Sequence, residues 1–150
     1  MIVEQADVTI SDRIEDANFL WRSGRREGAL LSVLIAVAAV AATKHPTLRD
    51  RDRFEKYVRE SSNVRLSVEF RGQLYPLETI FYKFLRCELV HEGGLPQDIK
   101  FADEEQENTM SVRAGGAPDY LLIVGNGWYF HLANLATNQG TLFASTTGNK

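Results

Sequence analysis

The chain has 150 residues, 44% hydrophobic and 25% charged, which is the make-up of one globular domain and excludes a chain disordered throughout. A formal net charge of −3 excludes a general nucleic-acid coat, though not a local basic cleft. The single cysteine, Cys87, excludes an intrachain disulfide and a multi-cysteine zinc site, so a reducing, cytoplasmic setting is expected.

The N-terminus carries early acids, Glu4 and Asp7, and no basic-then-apolar leader pattern. Residues 1–10 and 144–150 read as peripheral tails of one domain spanning 1–150. Asp12 followed by Glu15 resembles a capped helix start, and Ile14, Ala17 and Trp21 recur at helical spacing until Gly24. A second helix is predicted over residues 26–43, stopped by Lys44-His45-Pro46 because proline cannot continue it. Within it, residues 29–42 are apolar apart from Ser32. That run is shorter than the roughly 18 to 20 residues of a bilayer crossing. It is expected instead at the centre of a bundle, with Leu34, Val37 and Ala41 buried.

A third helix is predicted over residues 48–60, with Leu48, Phe54, Tyr57 and Val58 on one face. Its other face mixes both signs, and Asp52–Lys56 and Glu55–Arg59 have the spacing of i,i+4 pairs. Residues 64–70 alternate apolar and polar, as a strand does, up to Gly72. Pro76 then opens a fourth helix over 77–91, with Gly93-Gly94 as its stop. Residues 98–107 are acid-rich and aperiodic, and an exposed loop is expected there. A hairpin is predicted from 109–113 and 120–124, and Asn126 can cap a last helix over 128–138, closed by Gly140. The fold class is therefore mainly α, a bundle of about five helices with a small β-strand and hairpin element.

Three histidines decide most catalytic options. His45, beside Pro46, reads as structural, and His131 as a satisfied, partly buried side chain. No HExxH, Cys/His cluster or Walker-type glycine loop is present, so zinc, a nucleoside triphosphate of that kind and other cofactors are not expected. His91 differs. It ends a helix whose last carbonyls favour a positive imidazolium, and an unperturbed histidine exchanges its proton near neutrality. Arg86 adds a permanent, planar charge suited to phosphate oxygens. On an ideal helix these two lie about 140° apart. His91 falls with Leu77, Ile80, Phe81, Phe84 and Glu88, and Arg86 falls opposite with Thr79 and Lys83. Glu88 on an apolar face needs a partner, and His91 is one turn away.

Phe84-Leu85-Arg86-Cys87-Glu88-Leu89-Val90-His91-Glu92-Gly93 resembles the signature of the HEPN superfamily (higher eukaryotes and prokaryotes nucleotide-binding domains), an Arg-x(4–6)-His motif near the end of a helix in an antiparallel bundle. Cys87 stands where the ribonuclease members commonly have a polar residue. The resemblance implies an HEPN-like homodimer acting as a metal-independent endoribonuclease, with RNA as substrate and an antitoxin or other protein as partner. It implies that two motif copies line one cleft, with His91 as general acid or base, Arg86 stabilising charge on phosphorus and Glu88 beside them. Two further readings remain open at this stage. One is a non-catalytic module that binds a protein or ligand. The other is a purely structural dimer in which Glu88 and His91 form a satisfied polar pair.

Overall fold

The computed structural model describes the backbone of residues 2–102, 109–115 and 121–148, and the side chains of 9–102, 109–115 and 121–137. The chain order is α1 (Ile2–Arg22), α2 (Arg26–Lys44), α3 (Asp50–Ser61), β1 (Ser67–Phe70), β2 (Gln73–Pro76) and α4 (residues 77–92). β3 (Ile99–Phe101), β4 (Val112–Ala114), β5 (Leu122–Val124) and α5 (Gly127–Gly148) follow. This is the expected class, mainly helical with a small β component.

α2 is the organising element. It packs against α1, α3, α4 and α5. Leu34, Val37 and Ala41 are fully buried, as a helix with no polar face requires. Its alanines keep the neighbouring backbones close. At 19 residues α2 is long and apolar enough, by length and composition alone, to cross a membrane, a stronger apolar signal than residues 29–42 suggest; half of its apolar window is buried inside the bundle. Trp21 of α1 stacks on Tyr129 of α5 at 4.2 Å between ring centroids, and Tyr129 donates to Asn18 Oδ1 at 2.8 Å. These contacts tie the first and last helices together behind α2.

Several boundaries differ from expectation. α1 begins at Ile2 rather than at Asp12, because Ile10 continues the buried stripe of Ile14 and Ala17 back towards the N-terminus. α5 runs through Gly140 to Gly148; one glycine costs a helix only about 1 kcal/mol and does not stop it. The remaining end of the predicted tail, 149–150, lies outside the described residues. Residues 98–107 are not all loop, since Ile99–Phe101 form β3, and 103–108 lie outside the described residues. The hairpin strands do pair, β4 antiparallel to β5 with Val112 opposite Val124. Of their predicted connection at 114–118, residues 116–118 lie outside the described residues, as does Tyr120 of the second predicted strand. β5 is the central strand, with β3 parallel on its other side. The strand expected over 64–70 begins at Ser67 and folds back onto β2.

α3 starts at Asp50, with Leu48 left in the preceding turn. Neither Asp52–Lys56 nor Glu55–Arg59 pairs. Arg51–Glu55 and Lys56–Glu60 form instead, each at 2.9 Å, and Arg59 reaches across to Glu78 on α4 at 3.2 Å. The charges still make a solvated face, one residue out of register with the expected pairs.

The largest departure is inside α4. It is α-helical at Leu77–Thr79, π-helical over Ile80–Arg86 and α-helical again over Cys87–Glu92. A π turn carries more residues than an α turn, so each residue advances less than the ~100° of an α-helix. The lag accumulates along seven residues and rotates everything after Ile80 relative to an ideal wheel. Leu85 and Leu89 consequently take up the apolar face, and His91 is carried out to solvent. Gly93, at φ 81°, closes the helix in the left-handed conformation that glycine adopts without strain.

Candidate functional site

The end of α4 is set by what its π segment turns inward. Arg86 points at the start of α3. Its Nη1 donates to Asp50 Oδ2 at 3.0 Å, and Tyr82 OH donates to the same oxygen at 2.8 Å. The guanidinium also lies over the Tyr82 ring, 5.3 Å from its centroid. Arg53 stands on the other side of the carboxylate, with Nη2 3.9 Å from Asp50 Oδ1 and Nη1 donating to the Leu48 carbonyl at 3.4 Å. One carboxylate thus serves two permanent cations. The Nε atoms of both Arg53 and Arg86 are buried and without a hydrogen-bond partner. Burial, and then the bond to Asp50, push the Tyr82 phenol up to about 12, so it is a neutral donor at any physiological pH.

The three expected site residues are not gathered at one point. Arg86 is mostly buried, with 21% of its side chain exposed, and faces α3. His91 is exposed in the last turn, next to Val90, which is 51% exposed. Glu88 is half-buried, and no hydrogen bond or ion pair joins it to His91. The charge it meets is Arg71, which feels its field, although Arg71 itself is held by two hydrogen bonds to Asp98 at 2.7 and 2.8 Å. That pair holds Asp98 below the ordinary carboxylate range and pins the β1–β2 turn to the start of β3. The expected placement of His91 on the buried face with Phe84 is therefore corrected, and the π turn is the reason. The wide angular separation of Arg86 from His91 persists, because the helix is regular again from Cys87 onward.

Cys87 is free and half-buried next to this network, close enough to Tyr82 to influence its phenol. His45 pairs with Glu60 at 3.1 Å, linking the turn after α2 to α3, which is a structural placement. His131 hydrogen-bonds with Ser62 Oγ at 3.0 Å and is held below the usual histidine range by burial. Among the described residues, no group of three or more His, Cys, Asp or Glu is placed to hold a metal ion.

Sequence reasoning missed Asp50, Tyr82 and Ser62. Asp50 had one available signal, an acid in the first turn of a helix. The contact between Asp50 and Arg86 spans 36 positions and has no local pattern, and the same holds for Ser62 and His131.

Compared with known proteins, the chain matches the family model described as Rv1289 over residues 9–117, which covers α1 through the β3–β4 region. The chain belongs to the Rv1289 family. No curated protein and no solved structure matches it.

Proposed function

We propose that this chain is an HEPN-like helical domain that acts as a homodimeric, metal-independent endoribonuclease, with Arg86 and His91 brought together across a dimer cleft. The observation that carries this reading is the state of His91. It is exposed, makes no hydrogen bond or ion pair among the described residues, and stands in the last turn of α4. A histidine kept only to satisfy Glu88 would be packed against it. His91 is instead free to take a proton from a ribose 2′-OH or to give one to the leaving 5′ oxygen.

Arg86 supplies the charge for the phosphoryl group. Only its Nη1 is engaged by Asp50, so its remaining Nη2 donors can meet phosphate oxygens. Since Arg86 and His91 leave α4 on different sides, one chain does not assemble the site, and a second copy is the simplest way to complete it. The product would carry a 2′,3′-cyclic phosphate, and the setting would be cytoplasmic, with an antitoxin or similar protein as regulator. Cleavage of RNA in excess chelator tests this reading. His91→Ala and Arg86→Ala should each lower the rate by about 10²-fold or more, while His45→Ala leaves it alone. Cleavage that survives both motif substitutions would refute the assignment.

A second reading is favoured by a specific observation. Arg86 already has a carboxylate and an aromatic ring as partners, which is what a structural arginine in a non-catalytic interaction module requires. A folded wild-type dimer that cleaves no RNA would select it.

A further inference from the structure

Beside the first turns of α4, apart from Arg86 and His91, the end of α3 meets the start of α5 around Ser62. Its backbone N–H closes α3 onto the Val58 carbonyl at 3.1 Å, which fixes the residue in the chain. Its Oγ accepts the Val64 N–H at 3.1 Å and lies 3.0 Å from His131 Nε2. The hydroxyl can also donate its own proton to Nε2 when that nitrogen is unprotonated. That arrangement needs a neutral imidazole protonated at Nδ1. Burial of His131 favours the neutral form, and the Trp128 ring, edge-on at 5.4 Å, holds the imidazole plane.

The pair lies in the wall of a partly open pocket. Val58, Val64, Leu77, Phe81 and Trp128 supply its apolar lining, and Ser62, His131 and Glu78 its polar lining. Glu78 is already neutralised by Arg59 at 3.2 Å, so it adds no free negative charge. Asn63 follows the serine directly, and its backbone N–H makes no hydrogen bond among the described residues. In nucleophile turns of hydrolases the amide after the serine is a donor to the oxyanion. A hydroxyl, a base within hydrogen-bond reach and an unspent amide beside a pocket are parts of an acyl-transfer site.

We propose that Ser62 and His131 form a nucleophile–base pair that accepts small, uncharged carboxylic esters. Ser62 Oγ attacks the carbonyl carbon while its proton passes to Nε2. As the carbon–oxygen bond of the ester breaks, Nε2 returns that proton to the leaving oxygen, releasing an alcohol and acyl-Ser62. Water then attacks the acyl carbon with Nε2 as its base, the Oγ–carbon bond breaks, and Oγ recovers the proton as the carboxylic acid leaves. The pocket is small, so short acyl groups fit best. This site shares no residue with the α4 network, and its failure would leave that reading untouched.

The test is labelling of the full-length protein with a fluorophosphonate probe, the adduct mapped by peptide mass spectrometry, alongside hydrolysis of p-nitrophenyl acetate. A single adduct on Ser62 is expected. His131→Gln, whose amide can still hydrogen-bond to Ser62 and so preserves the fold, should slow labelling by about 10²-fold. The wild-type labelling rate should stay level as pH falls to 6.5 and drop only below it, a profile that a merely structural pair would not give. Absence of any adduct on the wild type would overturn the proposal. So would an adduct on another residue, or a Ser62 rate unchanged by His131→Gln.

Discussion

Removing Asp50 from between Arg53 and Arg86 should cost stability in a way the structure lets one size. Asp50→Ala deletes one charge-assisted hydrogen bond, from Arg86, and leaves the partly buried Tyr82 hydroxyl without its acceptor. A bond of the first kind contributes about 1.5–3 kcal/mol when desolvated. Here 42% of the Asp50 side chain and 21% of the Arg86 side chain are exposed, so solvent screening takes the lower part of that range or less. The stranded phenol adds on the order of 1 kcal/mol, for a net loss of about 2 kcal/mol. Urea denaturation should show a lower midpoint with an unchanged slope. Combining Asp50→Ala with Arg86→Met should then cost less than the sum of the two, by about 1 kcal/mol, because each has already removed the other's partner. Strict additivity, or a single-variant loss within about 0.3 kcal/mol, would mean the contact organises nothing.

Three other outcomes follow from burial. Ala41→Leu adds bulk at a fully buried position of α2 and should destabilise by about 1–3 kcal/mol in the same melts, with Ala38→Leu similar. Tyr82 and Tyr129 are both pushed up to about 12, so an unfolded chain ionises them first. Their contribution to stability is therefore intact below pH 10 and lost between about 10 and 12, and Tyr129→Phe should shrink that alkaline loss. His131 is shifted the other way, below its unfolded value of 6.5. As pH falls past 6.5 the unfolded state takes up a proton that the folded state resists, so stability declines there, and His131→Gln should flatten that acid limb.

The helical outline was legible because it rests on local chemistry. Residues 29–42 have no polar face, and a helix of that kind has only the centre of a bundle to occupy. Pro46 and the Gly93-Gly94 pair stop helices through their own backbone preferences. What could not be read were features set by tertiary contact. β3 is only three residues long, too short for any period, and exists because β5 offers it a parallel edge. The π turn of α4 leaves no mark in the sequence, yet it exchanges the sides on which Arg86 and His91 would emerge. The pair offered for Glu88 and His91 is not made although both stand in the regular segment after the π turn, Glu88 half-buried in the field of Arg71 and His91 exposed. Asp50 was visible as a helix-start acid, but its role depends on α3 crossing α4 at Tyr82.

The central claim, that the cleavage site is shared between two subunits, is tested most directly by mixing inactive variants. Arg86→Ala and His91→Ala proteins are unfolded together, refolded as one sample, and assayed for RNA cleavage in excess chelator. If each site takes Arg86 from one subunit and His91 from the other, the mixed dimer holds one intact site and one doubly deficient one. Random pairing then restores about a quarter of wild-type activity. A mixture no more active than the two variants measured separately would contradict the shared site.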